Sequence, residues 1–158
     1  MFDFLKKLLG TKSEKDVKGL ESKVEEINTI YTSLNSISHD ELRAKSAALK
    51  AKIQTAIKPQ NDEIAAIKAQ VDSNPDIDVN AKEDSYKKID DIDKEITKKI
   101  EEVLNEILPE AFAILKETAR RFKENPSMEV TATDVDKELS KQHANIELNG
   151  SKAIFKNK

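Results

Sequence analysis

The chain has 158 residues, 36% charged and 37% hydrophobic but only 4% aromatic, with three glycines, four prolines and no cysteine. A formal net charge of −3, with no concentrated basic stripe against it, excludes nucleic acid as an expected partner. Without cysteine there is no disulfide framework, thiolate zinc site or Cys nucleophile. Few turn residues and regularly spaced Ile and Leu favour long, solvent-washed helices over a sandwich or an α/β domain.

In chain order, the first expected helix covers residues 2–9 and ends at Gly10. Phe2, Leu5 and Leu9 share one face, Phe4 and Leu8 lie beside it, and Lys6 and Lys7 flank it. The run is too short for a signal peptide or a membrane span. It fits either a weakly binding interfacial helix or a helix docked on an apolar neighbour. Ser13 and Asp16 form a capping-box-like pair ahead of Val17, Leu20, Val24, Ile27, Tyr31 and Leu34. Steps of three and four along that set predict an amphipathic helix to about residue 35.

Ser38 with Glu41 reads as the capping box of the next helix. Positions 42, 46, 49, 53, 57, 60, 64, 67 and 71 keep a 4-3 rhythm that passes through Pro59 in phase, so one helix to about Asp72 is expected. Residues 72–80, "DSNPDIDVN", read as a loop. From about Ala81, the residues Tyr86, Ile89, Ile92, Ile96, Ile100, Val103 and Ile107 make a second stripe. The two stripes predict an antiparallel hairpin with coiled-coil-like packing. Its outer face offers Glu83–Lys87, Asp84–Lys88, Asp90–Lys94 and Glu95–Lys99 at i, i+4. Those carboxylates read as a solvated face, since no base or nucleophile accompanies them. His39 and His143 have no second imidazole at ligand spacing, and no metal site is expected.

Pro109 suits the first turn of a new helix, predicted to bury Phe112, Leu115, Ala119 and Phe122 and to end near residues 124–126. Arg120 and Arg121 are candidates to pair with acids of another domain, with at least one exposed. Beyond lie a strand in "MEVTAT", a short helix capped by Asp134, and a hairpin turning on Asn149–Gly150. Asn149–Gly150–Ser151 also matches the glycosylation sequon, but the hairpin turn is the better reading. One hairpin and one strand make too little sheet to stand alone. The fold class is therefore mainly α: a long antiparallel helical hairpin plus shorter helices, with a small C-terminal β element.

Three stretches, in order, resemble one family. "MFDFLKKLLGTKSEKDVKGL" resembles the N-terminal helix and first turn of the SecA family of bacterial preprotein translocase ATPases. "SISHDELRAKSAALKAKI", residues 36–53, resembles its LSDEELRAKT segment, and "ILPEAFAILKETARRF" its LxPEAFAxxREAxxR stretch, the most specific match. Together they cover about a third of the chain. Most members join the second and third stretches by a short connection, whereas about fifty residues intervene here.

These readings divide the chain into five segments: an amphipathic helix at 1–10, a helix at 11–37, the hairpin at 38–107 with its insertion at about 54–103, a helix at 108–125, which the resemblance implies leads into the first nucleotide-binding domain, and a strand-helix-hairpin tail at 126–158. The resemblance implies contact of Phe2, Phe4, Leu5, Lys6, Lys7, Leu8 and Leu9 with a membrane surface or a SecYEG-type channel. It implies a cytoplasmic, peripheral location on the inner face of the cell membrane, and preprotein handled by the whole motor. ATP and magnesium would serve that motor, but no G-x-x-x-x-G-K-[ST] occurs in these residues, so no catalysis is expected of them alone. A homodimer through an exposed coiled-coil face stays open. The rival reading is a free-standing helical coiled-coil adaptor or scaffold.

Overall fold

The computed structural model describes residues 12–157. The predicted helix at 2–9 lies outside the described residues. Element α1 spans Lys12–Leu34, α2 His39–Asp72 and α3 Val79–Glu124. They are followed by β1 (Ser127–Thr131), α4 (Asp134–Gln142), β2 (Ile146–Asn149) and β3 (Lys152–Lys156). The described fold is mainly helical, with a small antiparallel sheet at its C-terminal end. The chain divides into two compact units, one made of residues up to Ser46 with those from Pro109 onward, the other of Ala47–Leu108.

The Ala47–Leu108 unit is a helical hairpin made of the later part of α2 and the earlier part of α3. Ile57, Val71, Ile89, Ile92, Val103 and Ile107 are buried along its seam, as the 4-3 spacing requires. Lys88–Glu63 at 2.7 Å and Lys52–Glu106 at 3.8 Å cross from helix to helix and fix an antiparallel alignment. Asp78 caps α3, its Oδ1 accepting from the N–H groups of Asn80 and Ala81.

Two prolines lie inside helices. Pro59 sits within α2, where the unbroken phase of the stripe predicts it. Pro109 departs from expectation: it lies inside α3 instead of opening a new helix. The reason is packing, because Val103, Ile107, Ala113 and Ile114 bury one continuous face on either side of it. Burial along that length outweighs the one hydrogen bond that proline cannot donate. Tyr86 also departs from its predicted place in the seam and is largely exposed.

In the other unit the strands order β1-β3-β2, all antiparallel, with Met128 opposite Phe155 and Leu148 opposite Ala153. The β2–β3 turn differs from the predicted one. Asn149 pairs with Lys152, so the two central residues are Gly150 and Ser151. Gly150 has φ 57° while no other described residue has positive φ, which fits a turn with glycine first and not one centred on Asn149. Met128, Val130, Ile146 and Ala153 are buried. β1 thus pairs with the β3 strand of the hairpin, and the residues just named are buried on the sheet.

Candidate functional site

Two ionic knots organise the unit that holds the termini. The first is built on the last turns of α3. The Arg121 Nε donates to Glu117 Oε1 at 2.6 Å, and its Nη2 donates to the Leu34 and Ile37 carbonyls at 3.0 and 2.8 Å. Nη1 lies 3.1 Å from His39 Nδ1. Arg121 therefore satisfies carbonyls left open where α1 ends. Arg120 adds two bonds to the same carboxylate, at 2.9 and 2.7 Å, and a further pair with Glu124. Glu117 is fully buried, yet Arg120 beside it, with Arg121, holds its pKa below the usual value against the opposing effect of burial.

The second knot ties α2 to the sheet region. Arg43 grips Asp136 with both guanidinium nitrogens, at 2.8 and 2.6 Å. Asp136 also accepts from the Thr133 N–H at 2.8 Å, while Thr133 Oγ1 accepts from the Asp136 N–H at 3.3 Å. That reciprocal pair is the capping box of α4, so the cap is Thr133 and not the predicted Asp134. Arg43, helped by Thr133, lowers the Asp136 pKa to about 2 although burial opposes it. Asp40 accepts from the Thr131 N–H and hydroxyl, both at 2.8 Å, which lowers its pKa too.

Between the knots lies an apolar cavity of about 270 Å³ lined by Leu42, Ile114, Phe122, Met128, Val130 and Phe155. Ser46, a small residue on the predicted α2 stripe, borders it and is itself exposed.

Several predicted roles change here. Arg120 and Arg121 pair within this chain and not with acids of another domain. The α3 face predicted to be buried is largely exposed: Phe112, Leu115 and Ala119 face outward, while Phe122 is 38% exposed and lines the cavity with the rest of its ring. Ala113, Ile114, Glu117 and Arg121 are buried in their place. Apolar size alone pointed to the wrong face, since Glu117 and Arg121 at i, i+4 neutralise each other and can go inside. Neither knot was foreseen; the signal for the first was that i, i+4 pair with a second arginine at i+3. The membrane-contact set Phe2, Phe4, Leu5, Lys6, Lys7, Leu8 and Leu9 lies outside the described residues. His39 sits at the start of α2 against Arg121, and the described residues hold no group of three His, Cys, Asp or Glu able to bind a metal. Among them no helix is long and apolar enough to cross a membrane.

Buried ion pairs thus tie helix ends to a small sheet, beside exposed apolar residues. The family follows from comparison with known proteins. The SecA DEAD-like domain family matches residues 5–155, and the chain belongs to the SecA family, corresponding to its N-terminal region. The protein translocase subunit SecA of Flavobacterium psychrophilum is 46% identical over 155 residues, covering 98% of this chain and 14% of that protein. The same subunit from Porphyromonas gingivalis is 40% identical over 155 residues, again 98% and 14%. That of Cytophaga hutchinsonii is 37% identical over 158 residues, the whole of this chain and 14% of its own length. The chain thus spans about a seventh of the curated relatives it matches, and the aligned stretch takes in the helical hairpin. No solved structure matches.

Proposed function

We propose that these residues act as the scaffold of a protein-translocation motor and present its N-terminal helix to the membrane surface and a SecYEG-type channel. The observation that carries this reading is the 46% identity to a protein translocase subunit across nearly the whole chain, hairpin included. The sequence of residues 2–9 supports the membrane contact, with five large apolar side chains beside Lys6 and Lys7. On this reading the location is cytoplasmic and peripheral on the inner face of the membrane. ATP hydrolysis and preprotein binding would belong to the complete motor, and these residues by themselves turn over no ATP, because they offer no glycine-rich turn followed by lysine and a hydroxyl residue.

The test is co-sedimentation with anionic vesicles, comparing the intact chain with a form lacking residues 1–10. The intact chain is expected to sediment weakly and less so in added salt, and the shortened form not at all. Equal sedimentation of the two would remove the interfacial role. A phosphate-release assay on the same preparation is expected to read no ATPase activity, and turnover above background would assign chemistry to these residues.

A further inference from the structure

Asn149 closes the β2–β3 pairing opposite Lys152, and Gly150 opens the turn with φ 57°. An asparagine side chain is open to attack by the main-chain nitrogen that follows it, one source of the lability of this residue type. The attack needs a nitrogen that is free of a hydrogen-bond acceptor, uncrowded by a side chain and open to water. Of the ten asparagines only Asn149 precedes a glycine, and every other is followed by a residue with a side chain. The Gly150 N–H donates to no acceptor among the described residues, and residues 148–151 are exposed. A side chain added at Gly150 would meet nothing within 4 Å, so the approach to its nitrogen is clear. Other asparagines meet further obstacles. Asn74 and Asn125 precede prolines, whose nitrogen has no hydrogen to lose. Asn28, Asn61 and Asn105 lie inside helices, where the following N–H is spent on the helical ladder. The Ala81 N–H after Asn80 donates to Asp78, and the Ile146 N–H after Asn145 donates to the His143 carbonyl.

We propose that Asn149 is a site of spontaneous modification, whose conversion to isoaspartate releases the edge strand β2. The Gly150 nitrogen gives up its proton and bonds to Asn149 Cγ, closing a succinimide ring. The Cγ–Nδ2 bond breaks, and Nδ2 leaves as ammonia with that proton. Water then opens the ring. Attack at Cγ gives aspartate with the original backbone, and attack at the main-chain carbonyl gives isoaspartate, with the chain routed through Cγ. Only water is consumed. Isoaspartate adds a carbon to the backbone at a two-residue turn. The longer connection no longer matches the register that seats Asn149 opposite Lys152 and Leu148 opposite Ala153. β2 has only four residues, of which Ile146 alone is buried, and it lies at the edge of the sheet with β3 as its one partner strand. β3 keeps its pairing with β1. Aspartate differs from isoaspartate here, since it adds a charge opposite Lys152 and leaves the backbone unchanged.

The test is incubation of the full chain for days at mildly alkaline pH, followed by trypsin digestion. Residues 142–152 leave as one peptide that carries both Asn145 and Asn149, so each molecule holds its own control. Tandem mass spectrometry is expected to place the new acid at Asn149, with conversion at Asn145 and Asn35 slower by several-fold. Isoaspartyl-specific methylation is expected to label the same peptide. Conversion at Asn145 or Asn35 as fast as at Asn149, or no isoaspartate at Asn149, overturns the site. Hydrogen exchange of the isolated isoaspartyl chain is expected to be several-fold faster in β2 and unchanged in β1. Asn149→Asp is expected to exchange like the starting chain, because it has the charge without the added carbon. Unchanged exchange in β2 of the isoaspartyl chain, or equal loosening by Asn149→Asp, overturns the release of the strand.

Discussion

Arg121 is nearly inaccessible to solvent and bonds four groups from three parts of the chain: Glu117, His39 and the Leu34 and Ile37 carbonyls. Removing Arg121 leaves Glu117 with Arg120 alone and strips the Leu34 and Ile37 carbonyls of their donor, a loss of about 2–4 kcal/mol. Arg121→Met is therefore expected to lower unfolding stability by about that amount, read by urea denaturation. Arg121→Lys is expected to recover little, because an ammonium cannot reach Glu117 and both carbonyls from one position. Asp136 gives a pH signature. Its folded-state pKa of about 2 lies below the ordinary 3.8, so its stabilisation is fully present above pH 4 and disappears as pH falls through 2. The contribution is about 1–2 kcal/mol, given that Arg43 is partly open to water. Chemical denaturation from pH 5 to pH 2 is expected to show the wild-type chain losing that increment while Asp136→Asn shows a flatter profile. This second knot was beyond the reach of the sequence, since Arg43 and Asp136 stand 93 positions apart and no local pattern links them.

At the scale of elements, features set by neighbours in sequence were legible. The Ser38–Glu41 capping box forms as its spacing predicts, with the Ser38 N–H donating to Glu41 at 2.7 Å and Ser38 Oγ accepting at 3.1 Å. The hairpin seam followed from the 4-3 period, because burial along a helix is periodic. Exposed ion pairs were not legible. Of the four predicted on the hairpin only Glu83–Lys87 forms, while Lys88 crosses to Glu63, Lys94 turns to Asp91 and Lys99 to Glu102. Each such pair contributes only about 0.2–0.5 kcal/mol, so several partners are nearly equivalent. Pro59 allows a direct test of continuity through α2. It is exposed and lies inside the helix, so replacing it loses no packing. Pro59→Ala restores a donor to the helix, a gain of up to about 3 kcal/mol, less the roughly 0.4–1 kcal/mol by which proline restricts the unfolded chain. The urea midpoint is expected to rise by the equivalent of about 2 kcal/mol; an unchanged or lower midpoint would mean that the helix is broken there in solution.

For the molecule as a whole, what holds the small sheet decides how the C-terminal residues behave. Alone, a three-stranded sheet of four- and five-residue strands would be marginal, and composition suggests a tail without support. Two things offset that. Met128, Val130 and Ala153 are buried, and the start of α2 fastens both ends of the β1–α4 connection, Asp40 at Thr131 and Arg43 at Asp136. Opening the sheet thus requires separating Arg43 from a carboxylate that is almost fully buried. Arg43→Ala leaves that carboxylate with the Thr133 bonds only, at a cost of about 2 kcal/mol after allowing for the partial exposure of Arg43. That is roughly a 30-fold change in an opening equilibrium. Hydrogen exchange of the intact chain is expected to show the amides of β1, β3 and α4 protected, and Arg43→Ala to speed them by about that factor. Residues 89–107, whose burial comes from the hairpin seam, are expected to keep their rates. Unchanged exchange in the strands of the variant would show that burial alone holds the sheet, and uniform acceleration along the chain would show that Arg43 supports global stability instead of fastening the tail.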